Sequence, residues 1–168
     1  MSILGGLLGL VLARLLTTVL PFRSRPIYNE SFSLRYPEAD PSQYLESWSA
    51  FPSDHAMLWF AIAVGIFLIH RRAGIVAMVY TILFICLPRI YLGLHHPTDI
   101  IGGAVMGTLL VLACCAAPVR QRVAGPLVQW SYRHPPSFYM IAFVVTYGLT
   151  THYYEIKGLL IAIAGSIR

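Results

Sequence analysis

Apolar residues along this chain gather into long runs separated by polar segments, with little of the short alternation that marks surface strands. Five runs stand out: Ser2–Leu20, His55–Ile69, Ala73–Leu92, Thr98–Pro118 and Ser137–Thr151. A helix needs about 20 apolar residues to cross a bilayer, so the pattern predicts an all-α, multi-pass transmembrane bundle of about five helices. The second and fifth runs are short and need help from their flanks. The tail from Gly158, GLLIAIAGSIR, is too short to span and is expected at the interface or against the bundle. The Ser2–Leu20 run lacks a basic start and an obvious small-residue cleavage site, and it carries Arg14, so it reads as a retained helix.

The polar connections differ in length and charge. Pro21 to Asp54 is a long segment with three Arg and most of the acidic residues. HRRAG joins the second and third runs, and the basic, acid-free stretch VRQRVAGPLVQWSYRHPP, expected as a loop, joins the fourth and fifth. Alternating the sides puts Arg71, Arg72, Arg120, Arg122 and Arg133 on one face, which the bias of short basic loops assigns to the cytoplasm. The long loop, Arg89, His95 and Glu155 then fall on the extracytoplasmic face.

Composition supports the membrane reading. The 168 residues are 57% hydrophobic and 11% charged, against about 25% charged in a soluble domain. That length suits one membrane-embedded domain, residues 1–168. The net charge of +5 rests on eleven Arg and a single Lys. These cations sit at the ends of apolar runs, which points to membrane orientation and anion binding and away from nucleic acid. Cys86, Cys114 and Cys115 lie within apolar runs without metal-ligand spacing and read as inert thiols.

Three stretches end on the predicted outer face: FRSRP (22–26), FPSDH (51–55) and PRIYLGLHHPTD (88–99). They bring Arg23, Arg25, Ser53, Asp54, His55, Arg89, His95, His96 and Asp99 near one membrane surface. Guanidinium forks match phosphate geometry, so arginines converging with hydroxyls and histidines describe an oxyanion site. The i,i+4 spacing of His95 and Asp99 puts both on one helical face, where the carboxylate takes the Nδ1 proton and leaves Nε2 as a nucleophile. An equally simple reading is a helix cap beside a surface histidine. His55, from another helix start, supplies a separate acid. Too few carboxylates or cysteines converge for a zinc or magnesium site, so neither metal nor cofactor is called for.

These motifs resemble the type-2 phosphatidic acid phosphatase superfamily, the integral-membrane lipid phosphate phosphatases, whose constellation vanadium haloperoxidases share. The matches are Arg25–Pro26, then Pro52-Ser53-Asp54-His55, then Pro88-Arg89 followed by His95 and Asp99, within a motif-bearing core of about 14–115. The resemblance implies that His95 attacks phosphorus to form a phosphohistidine, oriented by Asp99. His55 would protonate the leaving oxygen and then activate water, while Arg25, Arg89 and the Ser53 hydroxyl hold the phosphoryl oxygens.

Three positions depart from the resembled pattern. Asp54 stands where Gly is usual, so its carboxylate is expected to point away from the phosphate as a cap or salt-bridge partner. Pro88 replaces a Ser. The Lys that opens the first motif is Thr18 here, and Arg14, one turn deeper, is the candidate substitute as a phosphate ligand. The family commonly has two further helices before the first motif, so either the core is minimal or the start is incomplete.

The expected function is hydrolysis of a membrane lipid phosphate or diphosphate on the outer leaflet of a bacterial-type inner membrane. Undecaprenyl diphosphate leads, then phosphatidylglycerophosphate, phosphatidate and lipid A phosphates. A lipid-to-lipid phosphotransferase would use the same residues, and a non-catalytic lipid-binding or transporter subunit is the reading from another class. His96 is expected to cap the fourth helix, and His70, His134 and His152 to lie at the interface, none with a chemical role. Tyr28, Tyr36, Tyr44 and Trp48 read as interfacial anchors. Headgroup, chain length and oligomeric state stay open.

Overall fold

A computed structural model of the protein describes residues 2–28 and 49–151. Six helices make up the described residues, with no strand among them. They are α1 (Ser2–Val19), α2 (Asp54–Ile69), α3 (Arg71–Tyr91), α4 (Pro97–Cys115), α5 (Ala117–Arg133) and α6 (Pro135–Thr151). Helices α1, α3 and α4 are long and apolar enough to cross a membrane, and α2 is apolar but shorter, at 16 residues. The protein is therefore a helical membrane protein. Tyr36, Tyr44, Trp48, Glu155, His152 and the tail from Gly158 lie outside the described residues.

The described residues divide near Arg120 into two compact units. In the first, α2 packs against α1, α3 and α4, and α1 packs against α4. Close approach between α2 and α4 depends on glycine. A Cβ at Gly103 would strike the Ser53 carbonyl, and one at Gly107 the Met57 carbonyl. Bilayer helices gain little from burying apolar area against lipid, so they associate through such backbone contacts. Ala13, Ala56, Met57, Leu58, Ala61 and Val111 are wholly buried between them.

Outward positions are apolar as well. Ile75, Val76, Val79, Ile82, Leu83 and Phe84 of α3 are all exposed, as a lipid-facing surface requires. Midway along α3 the ladder widens to a π-helical stretch, Thr81–Cys86, where the Leu87 N–H reaches the Ile82 carbonyl. The turn between α2 and α3 is a single residue. His70 is extended (φ −142°, ψ 103°) and its Nδ1 accepts the Ala73 N–H at 3.1 Å, capping α3. His70 thus has a structural role that sequence reading did not assign.

In the second unit the stretch expected as a loop is largely helical. Helix α5 carries Pro126 in its interior and contains no acid, and its last turn ends at Arg133. Trp130 meets Phe138 edge-on at 5.4 Å between ring centroids. Its basic, acid-free composition suggested a loop, yet no glycine between Ala117 and Arg133 adopts the left-handed region, and one proline is compatible with a helix when its neighbours compensate.

Candidate active site

The site sits where α1 ends, α2 begins, α3 ends and α4 begins. Backbone hydrogen bonds join the three connecting stretches. The Ala50 N–H donates to the Arg23 carbonyl at 2.8 Å, the Ile27 N–H to the Gly93 carbonyl at 2.9 Å, and the Ser53 N–H to the Asp99 carbonyl at 3.2 Å. Gly93 has φ +65°, a left-handed conformation that a side chain disfavours, and it turns the chain after α3 so that residues 94–96 fold back. The His95 N–H then lies 3.4 Å from the Arg89 carbonyl, and the Leu94 N–H donates to the same oxygen at 2.9 Å.

Arg25, 9% exposed, reaches across from the first stretch and donates to the Leu94 carbonyl at 3.0 Å. A small cleft opens beside it, lined by Ala13, Arg14, Thr17, Arg25, Ser49, Pro52, Asp54 and His95. Four elements that are distant in sequence thus meet around His95.

His95 is 3% exposed, and its Nδ1 lies 2.9 Å from the Ala50 carbonyl. A carbonyl only accepts, so Nδ1 carries the proton and Nε2 holds the lone pair. Burial, with help from the nearby Arg25 guanidinium, pushes the His95 pKa down to about 4. The imidazole is therefore neutral at physiological pH.

The expected hydrogen bond from His95 to Asp99 is not formed; Nδ1 and Oδ2 are 3.9 Å apart. Helix α4 starts at Pro97, so His95 lies ahead of it and the i,i+4 facing does not apply. Asp99, wholly buried, has two other partners. Its Oδ1 pairs with Arg23 at 2.7 Å, and its Oδ2 accepts the His96 N–H at 2.8 Å to cap α4. His96 is the N-cap residue of α4, and its Nε2 lies 3.3 Å from the Ser24 carbonyl.

Ser53 is the N-cap of α2, extended at φ −70° and ψ 114°. Its Oγ accepts the Ala56 N–H at 3.4 Å, which leaves the hydroxyl proton for another acceptor. Asp54, the residue that follows, is a salt-bridge partner as expected, but it lines the cleft instead of pointing away from it. Its Oδ1 accepts both the His55 N–H at 2.8 Å and the His55 Nδ1 at 2.7 Å, and its Oδ2 pairs with Arg14 at 3.3 Å. Arg14, expected to turn toward phosphate, thus directs its guanidinium to a carboxylate. Arg89 lies near enough to act electrostatically on both His55 and His95.

Sequence reading missed two contributors. The Ala50 carbonyl has no residue code, so no sequence signal could reveal it. Arg23 was visible in FRSRP, but its pairing with Asp99 across 76 positions was not.

Of the motif set Arg-Pro, Pro-Ser-Asp-His, Arg…His…Asp, Arg25, Pro52, Asp54 and His95 line the cleft, and a model of the PAP2 superfamily matches residues 2–122. The chain belongs to the PAP2 superfamily. The chain is 34% identical over 106 residues to the "Bacitracin transport permease protein BcrC" of Bacillus licheniformis, covering 63% of this chain and 46% of that one. It is 31% identical over 97 residues to the "Putative undecaprenyl-diphosphatase YbjG" of Escherichia coli (strain K12), covering 57% of this chain and 46% of that one. The match thus spans about half the length of these curated relatives. No solved structure matches the chain significantly.

Proposed function

We propose that this PAP2-superfamily chain is a lipid phosphate phosphatase of the inner membrane, with its cleft on the extracytoplasmic face and undecaprenyl diphosphate as the favoured substrate. The observation that carries the reading is His95, neutral and buried, with Nε2 freed by the Ala50 carbonyl and set beside Arg25 in the cleft. Its lone pair attacks the terminal phosphorus, and the bond from that phosphorus to the oxygen of the departing lipid phosphate (or lipid alcohol, for a monoester) breaks as the P–N bond forms. His55 gives a proton to the departing oxygen. A water then loses its proton to His55 and attacks the phosphohistidine, releasing inorganic phosphate and regenerating neutral His95.

Arg25, Arg89 and the Ser53 hydroxyl hold the phosphoryl oxygens, the electrostatic support on which phosphoryl transfer mainly depends. Asp99 acts one step back. By holding Arg23 and the start of α4 it fixes the FRSRP stretch against the 93–96 turn, and so the distance between Arg25 and His95. The substrate preference is supported by the similarity to the putative undecaprenyl-diphosphatase of Escherichia coli.

Purified protein offered undecaprenyl diphosphate, phosphatidylglycerophosphate, phosphatidate and a lipid A phosphate tests the reading, with released phosphate measured. Release from at least the diphosphate, and its loss in His95→Ala, is expected. Transfer of phosphate to an added lipid alcohol without free phosphate would make the chain a phosphotransferase. Binding of lipid phosphates with no turnover would make it a lipid-binding protein.

A further inference from the structure

A histidine that must donate and accept protons needs its tautomer fixed and its cationic form stabilised. His95 has a carbonyl on Nδ1, which suits a group that stays neutral. His55 has a carboxylate there. Asp54 Oδ1 lies 2.7 Å from His55 Nδ1, and both side chains are largely withdrawn from solvent, at 19% and 13% exposed. The same oxygen takes the His55 backbone N–H at 2.8 Å, so the carboxylate is held against the α2 start from two directions. Its other oxygen faces Arg14 at 3.3 Å. Neighbouring residues within a helix do not face each other. Here the contact forms because Asp54 is the first helical residue, where unsatisfied N–H groups draw a carboxylate back over the helix end.

We infer that Asp54 is a positioning residue for His55, forming with it and Arg14 a relay in which the carboxylate sets the imidazole's tautomer and Arg14 limits how strongly it attracts the proton. The inference rests on the phosphatase reading for its catalytic consequence, though its geometry does not. With Nδ1–H held by Asp54, Nε2 is the atom that exchanges protons with leaving group and water. No covalent change occurs at Asp54 or Arg14. A glycine in place of Asp54 could supply none of this. Two further charges act on His55, Arg14 from α1 and Arg89 at the end of α3, while Asp99 at the start of α4 is paired with Arg23. Asp54 is in hydrogen-bond contact with the His55 ring, an arrangement that favours the imidazolium.

Arg14 and Asp54 should act on His55 with opposite signs. Removing the carboxylate destabilises the imidazolium, whereas removing the guanidinium strengthens the carboxylate's pull. The measurement is a pH titration of the histidine ring nitrogens by 15N NMR on the full chain in detergent micelles, with His55 assigned by comparison with His55→Gln. Wild type should show His55 as the Nδ1–H tautomer when neutral. Asp54→Asn should lower the His55 midpoint by about one pH unit, the lower end for loss of an adjacent opposite charge. Arg14→Gln should raise it, and Asp54→Glu should restore part of the Asn loss.

Phosphate release is followed in parallel. Asp54→Asn should cut turnover of phosphatidate, whose alkoxide needs a proton, about tenfold or more. Nitrophenyl phosphate, whose leaving group needs little protonation, should be affected far less. An Nε2–H tautomer, an unchanged His55 midpoint in Asp54→Asn, or shifts of the same sign in both variants would overturn the inference. Opposite-signed shifts in a protein that releases no phosphate from any lipid would leave the relay standing and remove the phosphatase reading instead.

Discussion

At the scale of single residues, the two histidines are distinguished by what holds Nδ1: a peptide carbonyl for His95 and a carboxylate for His55. The His95 pKa, pushed down to about 4 from the ordinary 6.5, has a pH consequence with a definite sign. Between pH 6.5 and 4 the unfolded chain binds a proton that the folded chain refuses. The stability His95 contributes is therefore complete above pH 6.5 and is lost as pH falls toward 4, by about 3 kcal/mol in all. Unfolding in detergent followed from pH 7 to 4.5 should show that loss, and His95→Gln should flatten it. Over the same range His95 stays neutral, so under the proposed mechanism formation of an acid-labile, alkali-stable phosphoenzyme should persist at pH 5 in a single turnover. His95→Ala should form none. Arg25, Ser53, His55, Arg89 and His95 were legible as a motif, because their order along the chain is itself the signal. Their partners were not. The i,i+4 rule paired His95 with Asp99 only on the assumption that both lie in one helix, and Arg14 meets Asp54 across 40 positions that no local pattern relates.

Elements make the site possible by coming close enough for backbone to meet backbone. Gly103 and Gly107 bring α4 onto the Ser53 and Met57 carbonyls, and the Ser53–Asp99 hydrogen bond depends on that approach. Gly107→Val should separate α2 from α4 and cost about 3 kcal/mol or more, since overpacking here meets main chain that cannot move aside. Steric trapping or detergent unfolding would measure it. Gly93→Ala should cost about 1–2 kcal/mol for its left-handed turn. It should also lower turnover more than it lowers stability, because the Gly93 carbonyl ties Ile27, and with it Arg25, to the 93–96 turn. At this scale the apolar runs were read within a few residues of α1, α2, α3 and α4, because long unbroken apolar stretches permit only helices in lipid. Helix α5 was missed because its composition is that of a loop.

For the whole molecule, the cations Arg71 and Arg72 begin α3 at the bundle end away from the cleft, which is the arrangement the positive-inside tendency favours. If the cleft faces outward, a cysteine replacing Ser42 should react with an impermeant thiol reagent on intact cells, and one replacing Gln121 should not. The opposite labelling would place the chemistry on the cytoplasmic leaflet and exclude outer-leaflet substrates. Chelation is a second whole-protein test. Phosphate release in excess EDTA should match that in buffer, whereas vanadate should inhibit by occupying the phosphoryl position; activity lost in EDTA and restored by a divalent ion would remove the histidine-only mechanism.

The hydrogen bonds from Ile27 to Gly93 and from Ala50 to Arg23 clamp the chain on both sides of residues 29–48. Once both ends of a segment are fixed by the body of a protein, its length matters little: doubling it costs only about 0.6 kcal/mol in closure entropy. That segment is therefore open ground for change. Evolution, or an engineer splicing in a reporter or affinity handle, can lengthen or shorten those twenty positions at little cost in closure entropy while the two clamping hydrogen bonds stay in place.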